Sequence, residues 1–245
     1  MDVSVYHYDA VDSTNTQCRR LAAEGVVNAV VTADCQTAGR GRMGRSFQSP
    51  PGLGLYLSVL WRTGLRTDTL PMVTPLAAVA VCRAIEEVCG LHCGIKWPND
   101  LLLGGKKVCG ILTEAGTSVE SGLLEWLVVG IGLNLTTTPA DWPEELARTA
   151  GSLFPGGPAP VGRAALAGAI ARELLALCPA FDCLDEYRSR CFVPGHWVTV
   201  CTAAETYAAR AIAIDDNGAL LVEREGGRLA ALQHGEVSIR PTKTE

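Results

Sequence analysis

A mixed α/β (α+β) domain followed by a small all-β module is the architecture this sequence predicts, and three observations carry it. Up to about residue 192, apolar segments of strand length are interleaved with segments of helical periodicity. Beyond that point the helical pattern stops, and five short apolar runs follow at turn spacing. The 245 residues are 48% hydrophobic, enough for one sizeable core plus a second, smaller unit. The chain therefore divides into residues 1–192 and 193–245.

The elements follow in order. Asp12 or Ser13 can cap a helix running through Thr16–Glu24, which Gly25 ends. Val26–Thr32 reads as a strand. Residues 37–54 are rich in Gly, Pro and Ser and read as a loop, with a strand at Leu55–Trp61 behind it. A helix is expected over Thr74–Cys89. Short strands follow at Gly94–Trp97, Leu101–Leu103, Cys109–Ala115 and Leu124–Leu133. Asn134–Pro160 is a surface excursion with a helical turn at Glu144–Arg148, and helices are expected over Gly162–Cys178 and Phe181–Cys191. In the tail, Trp197–Cys201, Tyr207–Ile214, Ala219–Glu223, Arg228–Leu232 and Val237–Arg240 predict a small β-barrel.

Composition excludes several functions. A net charge of −5 and a pI near 5.5 offer no general basic footprint for nucleic acid. The most apolar long stretch, Leu70–Cys89, carries Arg83, Glu86, Glu87 and two prolines, and reads as a buried helix, not a membrane span. The N-terminus shows no basic region before an apolar run, so a cytoplasmic location is expected. The ten cysteines include no Cys-x-x-Cys pair, which suits reduced thiols acting as small core hydrophobes. Cys89, His92 and Cys93 lack a fourth ligand at zinc spacing, so no metal site is read there.

Two stretches run against the acidic average. Between Cys35 and Thr67 there are five arginines and no acidic residue. Within it Gly39-Arg40-Gly41-Arg42-Met43-Gly44-Arg45 matches G-x-G-x-x-G, but Ser46–Gly52 cannot start a helix and no acid appears before Asp68. The dinucleotide reading fails. What remains is a glycine loop able to turn its N–H groups toward a ligand, with three guanidiniums suited to phosphate or carboxylate and without partners nearby along the chain. Such a loop is expected to be mobile when empty and ordered by an anion; a solvated basic loop is the plainer alternative. Phe47 just beyond it could be an ordinary core aromatic or a platform for a flat base, and spacing alone favours the core.

The second stretch holds three of the four lysines, Lys96, Lys106 and Lys107, in a 12-residue window. Lys96-Trp97-Pro98-Asn99-Asp100 ends a strand on a turn. Gly104-Gly105 makes a hairpin that returns through Lys107 to Gly110, where a ligand can approach closely. Solvated hairpin lysines are the competing reading. Gly130-Ile131-Gly132-Leu133-Asn134 removes side chains from one strand face and leaves a slot.

Taken with Ser13-Thr14-Asn15 and Gln36, these motifs resemble, in order and over residues 10–135, those of biotin protein ligases. The ending Gly235-Glu236-Val237-Ser238-Ile239-Arg240 resembles that family's SH3-like cap. The resemblance implies a class II aminoacyl-tRNA synthetase-like catalytic domain with a mostly antiparallel sheet. It implies activation of biotin by ATP and Mg²⁺ to biotinyl-5′-AMP, then transfer to one lysine of a biotin carboxyl carrier domain of acetyl-CoA carboxylase or a related enzyme. By motif, Lys107, Arg42 and Arg40 would be catalytic. Ser13, Thr14, Asn15, Gln36, Gly39, Arg40, Gly41, Arg42, Lys107, Gly110, Leu112 and Gly132 would bind biotin. Arg42, Arg45, Phe47, Asn99, Asp100, Lys107, Asn134 and Arg240 would serve the nucleotide. No metal ligands are assigned.

The motifs depart from many relatives at Met43, where those carry Arg. They begin at residue 12, so a ligase without a DNA-binding domain or membrane partner is expected, with homodimers among the family's states. A lipoate- or octanoyl-transferring relative and a catalytically silent biotin-binding regulator are the alternatives.

Overall fold

Strand β3 (Gly54–Trp61) is buried at all eight of its positions, and the larger part of the molecule is built in layers around it. Such a strand reads as an unbroken apolar run because both of its faces are covered. The fold is that of a computed structural model, which describes residues 3–62, 64–118, 120–177, 182–202, 204–233 and 235–239. Its main sheet also contains β1 (Ser4–Val11), β2 (Asn28–Gln36), β4 (Gly94–Lys96), β5 (Asp100–Leu103), β6 (Lys106–Thr117) and β7 (Leu124–Asn134), in the order β1-β2-β3-β7-β6-β5-β4. Only β1 and β2 run parallel; every other pairing is antiparallel.

Helix α1 (Thr14–Ala23) covers one face, burying Cys18, Leu21 and Ala22 against Val31, Leu60 and Val128. Helices α2 (Leu70–Cys89), α4 (Arg163–Leu177) and α5 (Leu184–Arg190) cover the other; α3 (Glu144–Ala147) is a single turn in the surface excursion. Helix α2 starts four residues before the expected Thr74, since Pro71 falls in the first turn, where a missing N–H costs nothing. Strand β1 was not anticipated. Its outward residues Val5, His7 and Asp9 alternate with the half-buried Tyr6 and Tyr8, as an edge strand requires.

The tail forms a second, antiparallel sheet in the order β11-β10-β9-β8-β12. Its strands are β8 (Trp197–Cys201), β9 (Thr206–Ile214), β10 (Leu220–Arg224), β11 (Leu229–Leu232) and β12 (Glu236–Ile239). Val198, Val200, Ala209, Ala211 and Val222 turn inward and join the main core. Trp97 Nε1 donates to Gly218 O at 3.0 Å, and Arg188 Nε to Ile214 O at 3.0 Å, fastening the small sheet to the larger part. The nine described cysteines are free thiols, and among described residues no helix is long and apolar enough to cross a membrane.

A charge cluster fastens α5 to α2. Arg190 grips Glu86 with both arms and also meets Glu186, which in turn accepts from Arg83. Hydrogen bonding from Arg190, with His92 assisting at 2.9 Å, holds the Glu86 carboxyl down at about 2. A depressed carboxyl stabilises the fold above its ordinary value near 4.5 and loses that contribution as pH falls toward 2. Thermal melts from pH 7 to pH 2 should show a drop in that window, amounting to roughly 2 kcal/mol. Glu86→Gln should start lower and show a shallower drop; an identical acid limb would remove Glu86 from the account.

Candidate active site

Three polar residues at the start of α1, Ser13, Thr14 and Asn15, are each only 3% exposed. Ser13 occupies the capping position, but its hydroxyl makes no capping bond; the Asp12 carboxylate accepts from the Ser13 N–H at 2.8 Å and is itself held by Arg20. Capping through either side chain is thus replaced by Asp12 bracing the turn, which leaves the Ser13 side chain on a cavity wall. Gln36, at the end of β2, accepts from Thr14 N at 2.9 Å and donates to Ser49 Oγ at 2.8 Å.

The arginine loop crosses above. Gly41 N donates to Arg45 O at 2.7 Å, and Phe47 N to Gly39 O at 2.9 Å, with Met43 at the tip in the left-handed region at φ 55°. Partners remote in sequence supply what the neighbouring sequence lacks. Arg40 lies 3.0 Å from a Glu114 oxygen, Arg42 donates to Asn99 Oδ1 at 3.1 Å, and Arg45 forms a two-armed pair with Glu236 of β12. Each of the three loop arginines thus has a polar partner in this structure. Burial lowers the Arg42 guanidinium below its ordinary value, opposed by Asp100 and Glu236, and it stays charged. Asn99 is fixed from both sides, since Ile111 N donates to its O at 3.0 Å and its own Nδ2 donates to Ile111 O at 2.9 Å.

Lys107 enters from the β5–β6 hairpin, whose Gly104 and Gly105 take φ of +57° and +77°. Its Nζ lies 2.6 Å from Asp100 Oδ1. Its backbone is clamped by the surface excursion, through Lys107 N to Thr149 O and Gly151 N to Lys107 O, both 2.8 Å.

Gly110 and Gly132 face each other across β6 and β7. A Cβ on Gly132 would stand 2.5 Å from the Phe47 ring, and one on Gly110 3.3 Å from it. Phe47 is thus not a core residue, as spacing suggested. The returning loop lays its ring over the glycine pair, where no side chain competes, and it belongs to neither apolar cluster.

These groups meet. One cavity of about 100 Å³ is lined by Ser13, Thr14, Asn15 and Gln36 at one end. Arg40, Gly41, Arg42, Arg45 and Phe47 line it from the loop, and Asn99, Asp100, Lys107, Gly110, Leu112 and Gly132 from the sheet. A second cavity of about 480 Å³ adjoins it, sharing Arg45, Phe47, Asp100, Lys107 and Glu236. Two of the expected residues, Gly39 and Asn134, do not line the first cavity. Gly39 lines neither cavity; it is buried behind the loop, where a Cβ would come within 2.3 Å of Phe47 O. Asn134 faces the second cavity but commits its amide to Gly151 O at 2.9 Å. Arg240 lies outside the described residues. Sequence reasoning did not single out Glu114, Glu236 or the buried Ser58, whose partners are distant along the chain. Among the described residues, His7, Asp9 and Asp34 form a group able to hold a metal ion, on the exposed β1–β2 edge away from both cavities.

The sequence profile described as the biotin/lipoate A/B protein ligase family matches residues 9–134, and that of the biotin protein ligase C-terminal domain matches residues 195–240. The bifunctional ligase/repressor BirA of Bacillus subtilis is 36% identical over 236 residues, covering 91% of this chain and 70% of its own. The biotin–[acetyl-CoA-carboxylase] ligase of Paracoccus denitrificans is 36% identical over 240 residues, covering 89% and 93%. Among solved structures, the biotin protein ligase of Aquifex aeolicus in complex with biotin and ATP superposes with a TM-score of 0.75 at 28% identity, covering 98% of this chain and 99% of that one.

Proposed function

The chain belongs to the biotin/lipoate A/B protein ligase family, and on that premise we propose that it activates biotin with ATP and passes the biotinyl group to a lysine of a carrier domain. One observation carries the reading: Arg40, Arg42 and Lys107 line the same cavity as Ser13, Thr14 and Gln36. A molecule with a polar ring head and an acid tail fits that distribution of groups. The head sits among the hydroxyls and the amide, with Asn15, Gly41, Gly110, Leu112 and Gly132 shaping the wall; the carboxylate reaches the cations. The nucleotide takes the adjoining cavity, along Arg45, Phe47, Asp100 and Asn134, with Asn99 reaching it from the wall of the first cavity.

In the first step a carboxylate oxygen of biotin attacks the α-phosphorus of ATP. An O–P bond forms, the bond to pyrophosphate breaks, and biotinyl-5′-AMP results. Both reactants are anions, so the barrier is largely electrostatic. Fixed cations in a site of low water content lower it without reorganising. Lys107, held by Asp100, meets the attacking and bridging oxygens, while Arg40 and Arg42 meet the phosphate. Asp100 and Glu236 would be the carboxylates within reach of a magnesium ion carried in by the triphosphate, which would supply positive charge on the pyrophosphate side. In the second step the neutral amine of the carrier lysine attacks the anhydride carbonyl. An amide forms, AMP leaves, and the amine proton passes to solvent.

The name of the Paracoccus relative points to a carboxylase carrier as the acceptor. Residues 1–192 would hold the reaction and 193–245 would act as a cap, linked to it through Glu236 and Arg45. A cytoplasmic setting suits this chemistry. Incubating the protein with ATP, Mg²⁺, labelled biotin and an acceptor carrier domain should yield labelled carrier. Omission of ATP should abolish it. No labelling beside a working control ligase would refute the reading, and tighter binding of lipoate than of biotin would redirect it to the lipoate branch.

A further inference from the structure

Ser58 interrupts the apolar run of β3, is 0% exposed, and takes no part in the reaction as set out above. Its Oγ lies 2.7 Å from Thr14 Oγ1 and 2.7 Å from Asn15 Oδ1. A hydroxyl has one proton, so only one of these contacts can be a donation from Ser58.

Groups farther along the chain of contacts decide which. The other end of the Asn15 amide lies 2.9 Å from Glu114 Oε2 and 3.2 Å from Leu112 O. The carboxylate, which also accepts from Arg40, and the carbonyl can only accept, so that end of the amide is the NH₂ group. The atom facing Ser58 is therefore a carbonyl oxygen, and Ser58 must donate to it. The Ser58 lone pairs then face Thr14, and the 2.7 Å contact is attractive only when Thr14 donates to Ser58. The single Thr14 proton is thereby used.

The consequence appears in the cavity. Gln36 Oε1, which accepts from the Thr14 backbone, lies 3.2 Å from Thr14 Oγ1. With the Thr14 proton turned inward, these two cavity-lining residues present a pair of acceptor oxygens and no donor between them.

We infer that Ser58 is a positioning residue for specificity: with its own proton held by Asn15, it locks Thr14 as an acceptor, so that the Thr14–Gln36 pair selects a ring N–H in the ligand head and rejects a ring oxygen of the same shape. A cyclic urea satisfies this notch, whereas a cyclic carbonate opposes it with lone pairs. This rests on the biotin reading above. A site built to receive a hydrogen bond discriminates strongly, because the mismatched ligand leaves buried polar atoms unpaired.

The test is titration calorimetry with biotin and with its ring-oxygen counterpart, in which the ureido N–H groups are replaced by O. Wild-type protein should prefer biotin by at least about 100-fold. In Ser58→Ala the Thr14 proton is free to turn toward the ligand, and the preference should fall at least tenfold. Ser58→Thr, which keeps the hydroxyl, should retain it, and affinity for ATP should hold within twofold throughout. Should Ser58→Ala not fold, Ser58→Cys, whose thiol is a poor acceptor, serves in its place. A variant that loses affinity for both ligands alike, with the preference unchanged, overturns the inference and leaves Ser58 a packing residue. Wild-type protein that binds no biotin overturns the proposed function itself.

Discussion

Lys107→Ala should lower the single-turnover rate of biotinyl-5′-AMP formation by about 10²–10³-fold, the effect of removing one preorganised charge from a developing anionic centre. The fold should suffer far less. The backbone of Lys107 holds Thr149 and Gly151, and those bonds do not depend on the side chain. The exposed cost falls on Asp100, whose buried Oδ1 has the ammonium 2.6 Å away as its counter-charge, a contact close enough for an ion pair but without hydrogen-bond geometry. Removing that nearest counter-charge, with the Arg42 guanidinium still acting on Asp100, costs about 1–3 kcal/mol, or a few degrees in melting midpoint for a chain of this size. Lys107→Arg separates charge from shape. A planar guanidinium cannot sit as a point charge between Asp100 and two oxygens, so it should restore stability but little of the rate. Unchanged adenylate formation in Lys107→Ala would remove this residue from the chemistry.

The parts of the fold and site that could be read from sequence are those whose cause is local. The helix over Leu70–Cys89, the buried run of β3 and the five strands of the tail each announce themselves by period or by turn residues. Strand β1 does not. Its inward residues are Tyr6 and Tyr8, its outward ones include Val5, and the contrast that marks a half-buried strand is blurred. The same rule divides the site. The glycine–arginine loop and the Lys107 hairpin are visible because each is contiguous. Glu114 and Glu236 are not, because they reach Arg40 and Arg45 across 74 and 191 residues, and that proximity exists only after β6 and β12 have been placed. Ser58 looks like one tolerated hydroxyl in an apolar strand until Thr14 and Asn15 are brought against it. Spacing alone favours the core for Phe47, whereas the glycines that seat its ring over the cavity come opposite it only once β6 and β7 have paired.

Gly130→Ala should be the most damaging single methyl in the site. Gly130 pairs with Ser58 on one side and Leu112 on the other, so it lies directly beneath Asn15. A Cβ there would stand 1.9 Å from Asn15 Oδ1 and 2.7 Å from its Cγ. The obstacle is steric rather than conformational, since Gly130 has no positive φ. Asn15 has nowhere to retreat, being buried and bonded to Ser58, Leu112 and Glu114 at once. Either the amide swings out and those bonds are lost, or β7 moves away from α1. Overpacking of this kind costs about 1–3 kcal/mol, and the broken polar contacts add a comparable amount, so the melting midpoint should fall by roughly 5–15 °C. Biotin affinity should drop at least tenfold, whereas ATP affinity, which depends on the far side of Lys107, should change little. Gly132→Ala provides the contrast. The nearest atoms its methyl would meet are Cε1, Cζ and Cδ1 of the half-buried Phe47 ring, which belongs to a surface loop and not to a bonded core residue, so the midpoint should shift by a degree or two. Equal behaviour of the two variants would show that Asn15 is free to move, and the hydrogen-bonded chain from Glu114 to Thr14 would lose its anchor.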